Sequence, residues 1–212
     1  MKPLFILLAV VLGQADIFSQ EINVIKLPDP QLDKGKPLMQ ALRERQSVRT
    51  FSSREIPVQE IANLLWAANG INRKESGKRT APSAMNRQEI DVYLSSKDGL
   101  FRYDAQQHAL VTIHNRDIRA LTGTQPYVAT APVNLIIVAD LGKMDGDQQS
   151  RLQTANIDAG FVCQNVYLYC ASEGLGTVVR GSVDREKLMA EMGLGPNFYI
   201  VVGQTVGYAA AQ

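Results

Sequence analysis

Apolar residues recur at helical spacing in two early stretches of the chain. In the first, Pro37 suits an opening helical position and Leu38, Ala41 and Leu42 share a face, which predicts a helix from Pro37 to about Arg45. In the second, Pro57 opens a helix whose Ile61, Leu64, Leu65 and Ala68 form one stripe and which Asn69-Gly70 stops. The residues between them, Ser47 to Phe51, are extended in character. Residues 21–36 carry Pro28, Pro30, Gly35 and scattered charge and read as an extended lead-in. Ile71 to Thr80 is polar and basic, which predicts a mobile loop.

The pattern then becomes strand-like. Ile90–Leu94, Leu100–Tyr103 and Ala109–Ile113, separated by turn residues, predict an antiparallel meander. Asp117–Leu121 reads as a short helix, and Val133–Ala139 is the continuous apolar run that a central strand buried on both faces requires. From Asn156 to Ser172, Phe161, Val162, Val166, Leu168 and Tyr169 cover much of a helix's girth, which predicts a buried helix at a subunit interface, capped by Gly174. A strand Thr177–Arg180, a helix Asp184–Met192 and a strand Tyr199–Val206 complete the chain. Helices and strands mix without regular βαβ alternation, so the fold class is α+β.

Residues 1–20 stand apart from this pattern. Lys2, the apolar run Leu4–Leu12 and the small-residue site Ser19-Gln20 together read as a secretory signal peptide, with an uncleaved anchor as the alternative. The run is shorter than the about 20 residues of a spanning helix, and Gly13, Gln14 and Asp16 interrupt its continuation. No cysteine follows it and no twin arginine precedes it, so the expectation is export as an unfolded chain to the periplasm or medium. Residues 37–212 then form one domain around a single core, near the prior of about 150 residues per domain.

Composition is that of an ordinary globular protein, 45% hydrophobic and 20% charged, and a net charge of +1 offers no basic footprint for nucleic acid. Cys163 and Cys170 lie seven apart on a predicted helix, so their Cα atoms are about 10 Å apart, too far for a disulfide. They are expected as small buried apolar residues.

Little in the chain offers catalysis by side chains alone. His108 and His114 lie in or beside the meander with no ligand partners at metal spacing, which points to packing or surface roles. There is no nucleophile elbow and no conspicuous carboxylate pair. Gly174-Leu175-Gly176 with Gly181 follows a helix, the wrong context for a dinucleotide fingerprint. The segment Arg45-Gln46-Ser47-Val48-Arg49 has two readings. Its guanidiniums and hydroxyl match a phosphate dianion, or Arg43, Arg45 and Arg49 stay solvated and offset the negative end of the first helix.

Four motifs in order resemble one family. Arg45-x-Ser47-x-Arg49-x-Phe51, Pro82-Ser83-Ala84-Met85-Asn86, Asp158-Ala159-Gly160 with Gln164-Asn165, and Ala171-Ser172-Glu173-Gly174-Leu175-Gly176 are similar to the successive signatures of FMN-dependent nitroreductases. The resemblance covers most of residues 38–208, and the meander, with Gly99-Leu100-Phe101-Arg102-Tyr103-Asp104, is similar to the SagB-type dehydrogenase branch.

That resemblance implies a nitroreductase-like α+β fold, a central mixed or antiparallel sheet flanked by helices, and a homodimer binding FMN at its interface. It assigns Arg45, Ser47 and Arg49 to the FMN phosphate and places Gln46 among the cofactor-binding residues. Ser83, Ala84 and Asn86 of the partner subunit would line the ring and ribityl chain, with Pro82 fixing their loop, and Gln125 would face the pyrimidine edge. Backbone N–H groups of Glu173 and Gly174, in a turn completed by Leu175 and Gly176, would meet the ring where negative charge develops. Two departures stand out. Relatives carry a C-terminal basic residue where this chain has Gly207-Tyr208 and alanines, so Arg180 is the expected substitute, and the aromatic usually found after the Pro-Ser loop is absent. The implied activity is two-electron transfer to an unidentified small-molecule or peptide-derived substrate, with the electron donor open. The alternatives are a flavin-binding protein without turnover and a cofactor-free interaction module.

Overall fold

The computed structural model describes residues 23–210; the signal-peptide reading of residues 1–20 lies outside the described residues. Its strands are β1 (Val24–Lys26), β2 (Ile71–Arg73), β3 (Lys78–Arg79), β4 (Ile90–Ser96), β5 (Gly99–Asp104), β6 (Ala109–His114), β7 (Val133–Asp140), β8 (Gly176–Arg180) and β9 (Phe198–Gly207). Its α-helices are α1 (Leu38–Glu44), α2 (Val58–Asn69), α3 (Gln148–Glu173) and α4 (Arg185–Glu191).

One seven-stranded sheet runs β1-β6-β5-β4-β7-β9-β8 and every pairing in it is antiparallel. A lone parallel bridge, Ser47 to Thr177, lies outside the named strands. β7 sits at the centre between β4 and β9, with Val133 to Ala139 all buried. Because strand side chains alternate, its apolar run divides between two layers. Leu135 and Ile137 pack with Leu64 and Leu65 of α2 and Val162 and Val166 of α3, while Ile136 and Val138 pack with Leu188 of α4 and Met192 just after it. The continuous run is the sequence consequence of helices on both faces.

The extended lead-in contributes an edge strand, Val24–Lys26, to β6. Two other elements differ from expectation. The basic segment 71–80 folds as the β2–β3 hairpin, fastened by Arg73 and Arg79 donating to the carbonyls of Arg79 and Asn69. The longest helix starts at Gln148, eight residues before Asn156. Its first turns are polar and carry no stripe, but Asp147 caps them by accepting the Ser150 N–H at 2.8 Å. Gly174 ends this helix in the left-handed region at φ 72°, where a residue without Cβ is unstrained. Cys163 and Cys170 are free and buried, as expected, and burial pushes the Cys163 thiol up to about 12.

Candidate functional site

Two features separated in sequence meet where β8 leaves α3. The segment after α1 runs alongside β8, with the Val48 N–H donating to Thr177 O at 3.0 Å. Val48 packs directly on Gly176, where a Cβ would lie 2.8 Å from Val48 Cγ1, so only glycine permits this approach. The result is a cleft of about 520 Å³ lined by Arg45, Gln46, Val48, Tyr167, Gly174, Leu175, Gly176 and Thr177, with Lys36 and Arg43 also facing it.

The sequence reading thus brings Arg45, Gln46, Gly174, Leu175 and Gly176 together. Ser47 stands beside them, its hydroxyl 3.0 Å from the Tyr167 phenol. Arg49 is exposed and does not line the cleft, and the Glu173 carboxylate turns to Lys34 Nζ at 3.0 Å. Arg43, in the last turn of α1, pairs with Glu44 at the edge of the cleft, whereas Arg45 lies 5.3 Å over the Tyr167 ring.

Tyr167 is the residue that sequence reasoning missed. Its hydroxyl accepts the Val179 N–H at 3.0 Å and meets Ser47, while its ring carries Arg45, so one side chain of α3 joins β8 to the arginine segment. Lys36 and Arg43 were missed as cleft residues too, and only their positive charge could have drawn attention to them.

Arg180 is a correction. Its guanidinium is buried in the sheet, donating to Thr205 Oγ1 at 2.9 Å, to Asn134 Oδ1 at 2.8 Å and to the Thr122 carbonyl. Those bonds hold it away from the cleft, and burial lowers it to about 10. Lys36 and Arg43 line the cleft where Arg180 does not, together with Glu44, whose carboxylate accepts Lys36 Nζ at 2.6 Å. Gln125 also lies off the cleft lining; its Oε1 is buried with no hydrogen-bond partner among the described residues.

The Pro82–Asn86 loop forms a second centre. Met85, Asn86 and Gln88 all have positive φ, of 54°, 55° and 51°, a strained run for residues with side chains. Ser83 Oγ accepts the Gln88 N–H at 2.9 Å and Asp158 Oδ2 accepts the Ala84 N–H at 2.8 Å, so the turn is held from inside and from α3. Beside Asp158 lies Glu89, fully buried, with no N–H or O–H donor of the described residues reaching either oxygen. The sequence pattern does not display this pair, because the segment before β4 and the helix that carry these acids meet only in the fold. Desolvation, and then the Asp158 carboxyl, raise Glu89 to about 7.

The loop and the cleft occupy different parts of α3. Asp158 and Gly174 are separated along the helix by about 24 Å at 1.5 Å per residue. A family model described as the nitroreductase family matches residues 42–208, which contain the Pro82–Asn86 loop and most of the cleft lining. The chain belongs to the nitroreductase family. It is 34% identical over 173 residues to MJ1384 of Methanocaldococcus jannaschii, named as a nitroreductase, covering 74% of this chain and 83% of that protein. A Ralstonia eutropha crystal structure described as a nitroreductase matches with a TM-score of 0.85 and 42% identity, over 89% of this chain and 90% of that one. A Desulfovibrio desulfuricans nitroreductase-type structure in complex with FMN matches with a TM-score of 0.61 and 20% identity, over 83% and 88% of the two chains, a likeness of fold. This nitroreductase-family chain is thus an α+β protein of an oxidoreductase family, built on a large antiparallel sheet and four α-helices.

Proposed function

We propose that this nitroreductase-family protein is an FMN-dependent oxidoreductase working as a homodimer, related in its meander to the SagB-type dehydrogenases. The observation that carries the reading is the cleft in which Arg45, Lys36 and Arg43 meet the Gly174–Gly176 turn. Its donors suit a phosphate: the Arg45 guanidinium matches phosphate oxygens, Glu44 already pairs with Lys36 and Arg43, and the tight glycine turn admits backbone close to a ligand. The residues therefore fit the group. Arg45, Gln46 and Ser47 would hold the phosphate, with Arg49 at the rim, and Glu173 and Gly174 would present backbone N–H groups to the ring.

The bound flavin would supply the two-electron chemistry. The protein's part is binding, orientation and electrostatics. Tyr167 keeps Arg45 and Ser47 in place, and the glycine contact with Val48 fixes their distance from the turn. The separation of the Pro82–Asn86 loop from the cleft supports a site shared between two chains, in which Pro82, Ser83, Ala84 and Asn86 come from the partner.

An absorption spectrum before and after FMN addition tests this. The purified protein is expected to be yellow or to become so with one FMN per chain. A protein that stays colourless at excess FMN overturns the reading in favour of a cofactor-free module. FMN bound without reoxidation by any acceptor would leave a flavin carrier.

A further inference from the structure

Glu89 is the most unusual side chain of the described structure. It is fully buried where the strained 82–88 turn enters β4, and no donor reaches its carboxyl oxygens. An ionised carboxylate in such a place would be desolvated beside a second acid, with only the Lys143 charge and its own backbone N–H favouring it. Its neighbour is the carboxyl of Asp158, which is also buried and which accepts the Ala84 N–H. The charged groups acting on Glu89 are Asp158 from α3 and Lys143 from the turn after β7; Lys143 Nζ itself donates to the Gln88 carbonyl at 3.2 Å.

Two adjacent buried carboxyls are stable when they share one proton between them. We propose that Glu89 is a positioning residue for the cofactor site: as the neutral acid it shares its proton with Asp158, and that bond fixes the carboxylate anchoring the Pro82–Asn86 loop. The proposal rests on the reading of that loop as part of an FMN site. Glu89 touches no ligand itself and acts through Asp158 and Ala84. A single charge on the pair stays directed at the Ala84 N–H. When the shared proton leaves, like charges confront each other in the interior, the pair separates, and the turn with its three left-handed residues loses its hold on α3.

The test uses the full chain and riboflavin as the probe, because the FMN phosphate itself ionises with a pKa of about 6 and would mask the effect. Fluorescence titrations are made at pH 6 and pH 8.5. Wild-type affinity is expected to fall about tenfold between them, whereas E89Q, whose amide can still donate to Asp158, binds at both pH values as wild type does at pH 6. D158N, which keeps an acceptor for Ala84 without the second charge, is likewise expected to lose the pH dependence near neutrality. Where riboflavin binds, equal pH dependence in wild type and both variants, or none in wild type, overturns the proposal.

A second readout needs no flavin. The Ala84 amide resonance and the hydrogen exchange of residues 82–88 are followed against pH in flavin-free protein. A transition near neutral pH that E89Q abolishes supports the anchor even if no flavin binds at any pH, an outcome that would overturn the cofactor reading alone. Absence of that transition overturns the anchor whether or not flavin binds.

Discussion

A Cβ on Gly176 would lie 2.8 Å from Val48 Cγ1, inside the closest approach of two packed carbons. This contact sets the distance between the arginine segment and β8. Gly176→Ala should therefore displace residues 45–49 and, by overpacking, cost about 1–3 kcal/mol of stability. The expected result is a lower denaturation midpoint together with weaker FMN binding. Val48→Gly, which removes the opposing side chain, should restore part of the binding to the alanine variant. A Gly176→Ala protein with unchanged stability and affinity would show that the strand and the segment move independently.

The charge on the arginine segment predicts discrimination between flavins. FMN should bind more tightly than riboflavin, and Arg45→Ala should weaken FMN about tenfold or more, since a hydrogen bond to a charged group contributes about 1.5–3 kcal/mol. Arg49→Ala should act in the same direction if its exposed guanidinium swings onto the phosphate. Riboflavin binding should hardly change in either variant. Equal losses for the two flavins in a fluorescence titration would contradict the phosphate assignment.

What the sequence made legible follows a physical division. Elements with a strong period, such as the central strand at Val133–Asp140 and the helix at Val58–Asn69, could be read because burial on known faces dictates their apolar spacing. The β2–β3 hairpin and the polar start of α3 were missed because hydrogen bonds and one Asp147 cap make them, and neither leaves a hydrophobic pattern. The cleft residues Arg45, Gln46 and Gly174 to Gly176 were found through local motifs. Tyr167, Lys36 and the Glu89–Asp158 pair were not, since their roles arise from contacts between elements distant in sequence. Arg180 was misassigned for the same reason: its charge was visible, but its buried partners Thr122, Asn134 and Thr205 were not.

His108 predicts an acid-sensitive attachment of the lead-in. Its Nε2–H donates to the Pro28 carbonyl at 3.0 Å, and Nδ1 accepts the Tyr103 hydroxyl at 2.9 Å. Burial lowers its pKa below the ordinary histidine value of 6.5, against smaller raising effects from the Pro28 carbonyl and Asp29. A depressed folded pKa means that the unfolded chain takes up the proton first, so the stabilisation is fully present above 6.5 and is lost as pH falls through the folded value. His108 has φ 45°, a conformation that asparagine tolerates, so His108→Asn is the suitable control. The fall in Tm between pH 7.5 and pH 5.5 should be smaller in the variant. Identical pH profiles would remove His108 from the balance.

The electron donor follows from combining the proposed export of the chain with the proposed cofactor. A chain crossing the membrane unfolded acquires FMN afterwards, in a compartment where free nicotinamide is scarce. NADH and NADPH should then be poor reductants, with a small reduced molecule or an exported redox protein as the donor. Anaerobic stopped-flow mixing decides. Bleaching of the flavin band at tens per second with micromolar nicotinamide would refute the inference.

The exposed apolar residues predict where two copies meet. On α1, Leu38 and Met39 are 61% and 76% exposed, and on α3, Ile157 and Phe161 are 54% and 43% exposed at positions four apart, on one helix face. The two helices pack together, and Met85, the most exposed of these apolar residues, sits in the turn anchored to α3 by Asp158. Apolar side chains exposed on α1, α3 and this turn are the ones a partner copy would cover. A stable homodimer of this kind should bury more than about 2,000 Å². Phe161→Glu and Met39→Glu would each place a charge in that surface, where it would be left unpaired on association. Light scattering should find dimers for wild type and monomers for the charged variants at micromolar concentration. Because the phosphate cleft and the Pro82–Asn86 loop reach one ligand only from two chains in this reading, those monomers should also lose FMN while keeping their fold by circular dichroism. A folded, FMN-saturated monomer would refute both the interface and the shared site.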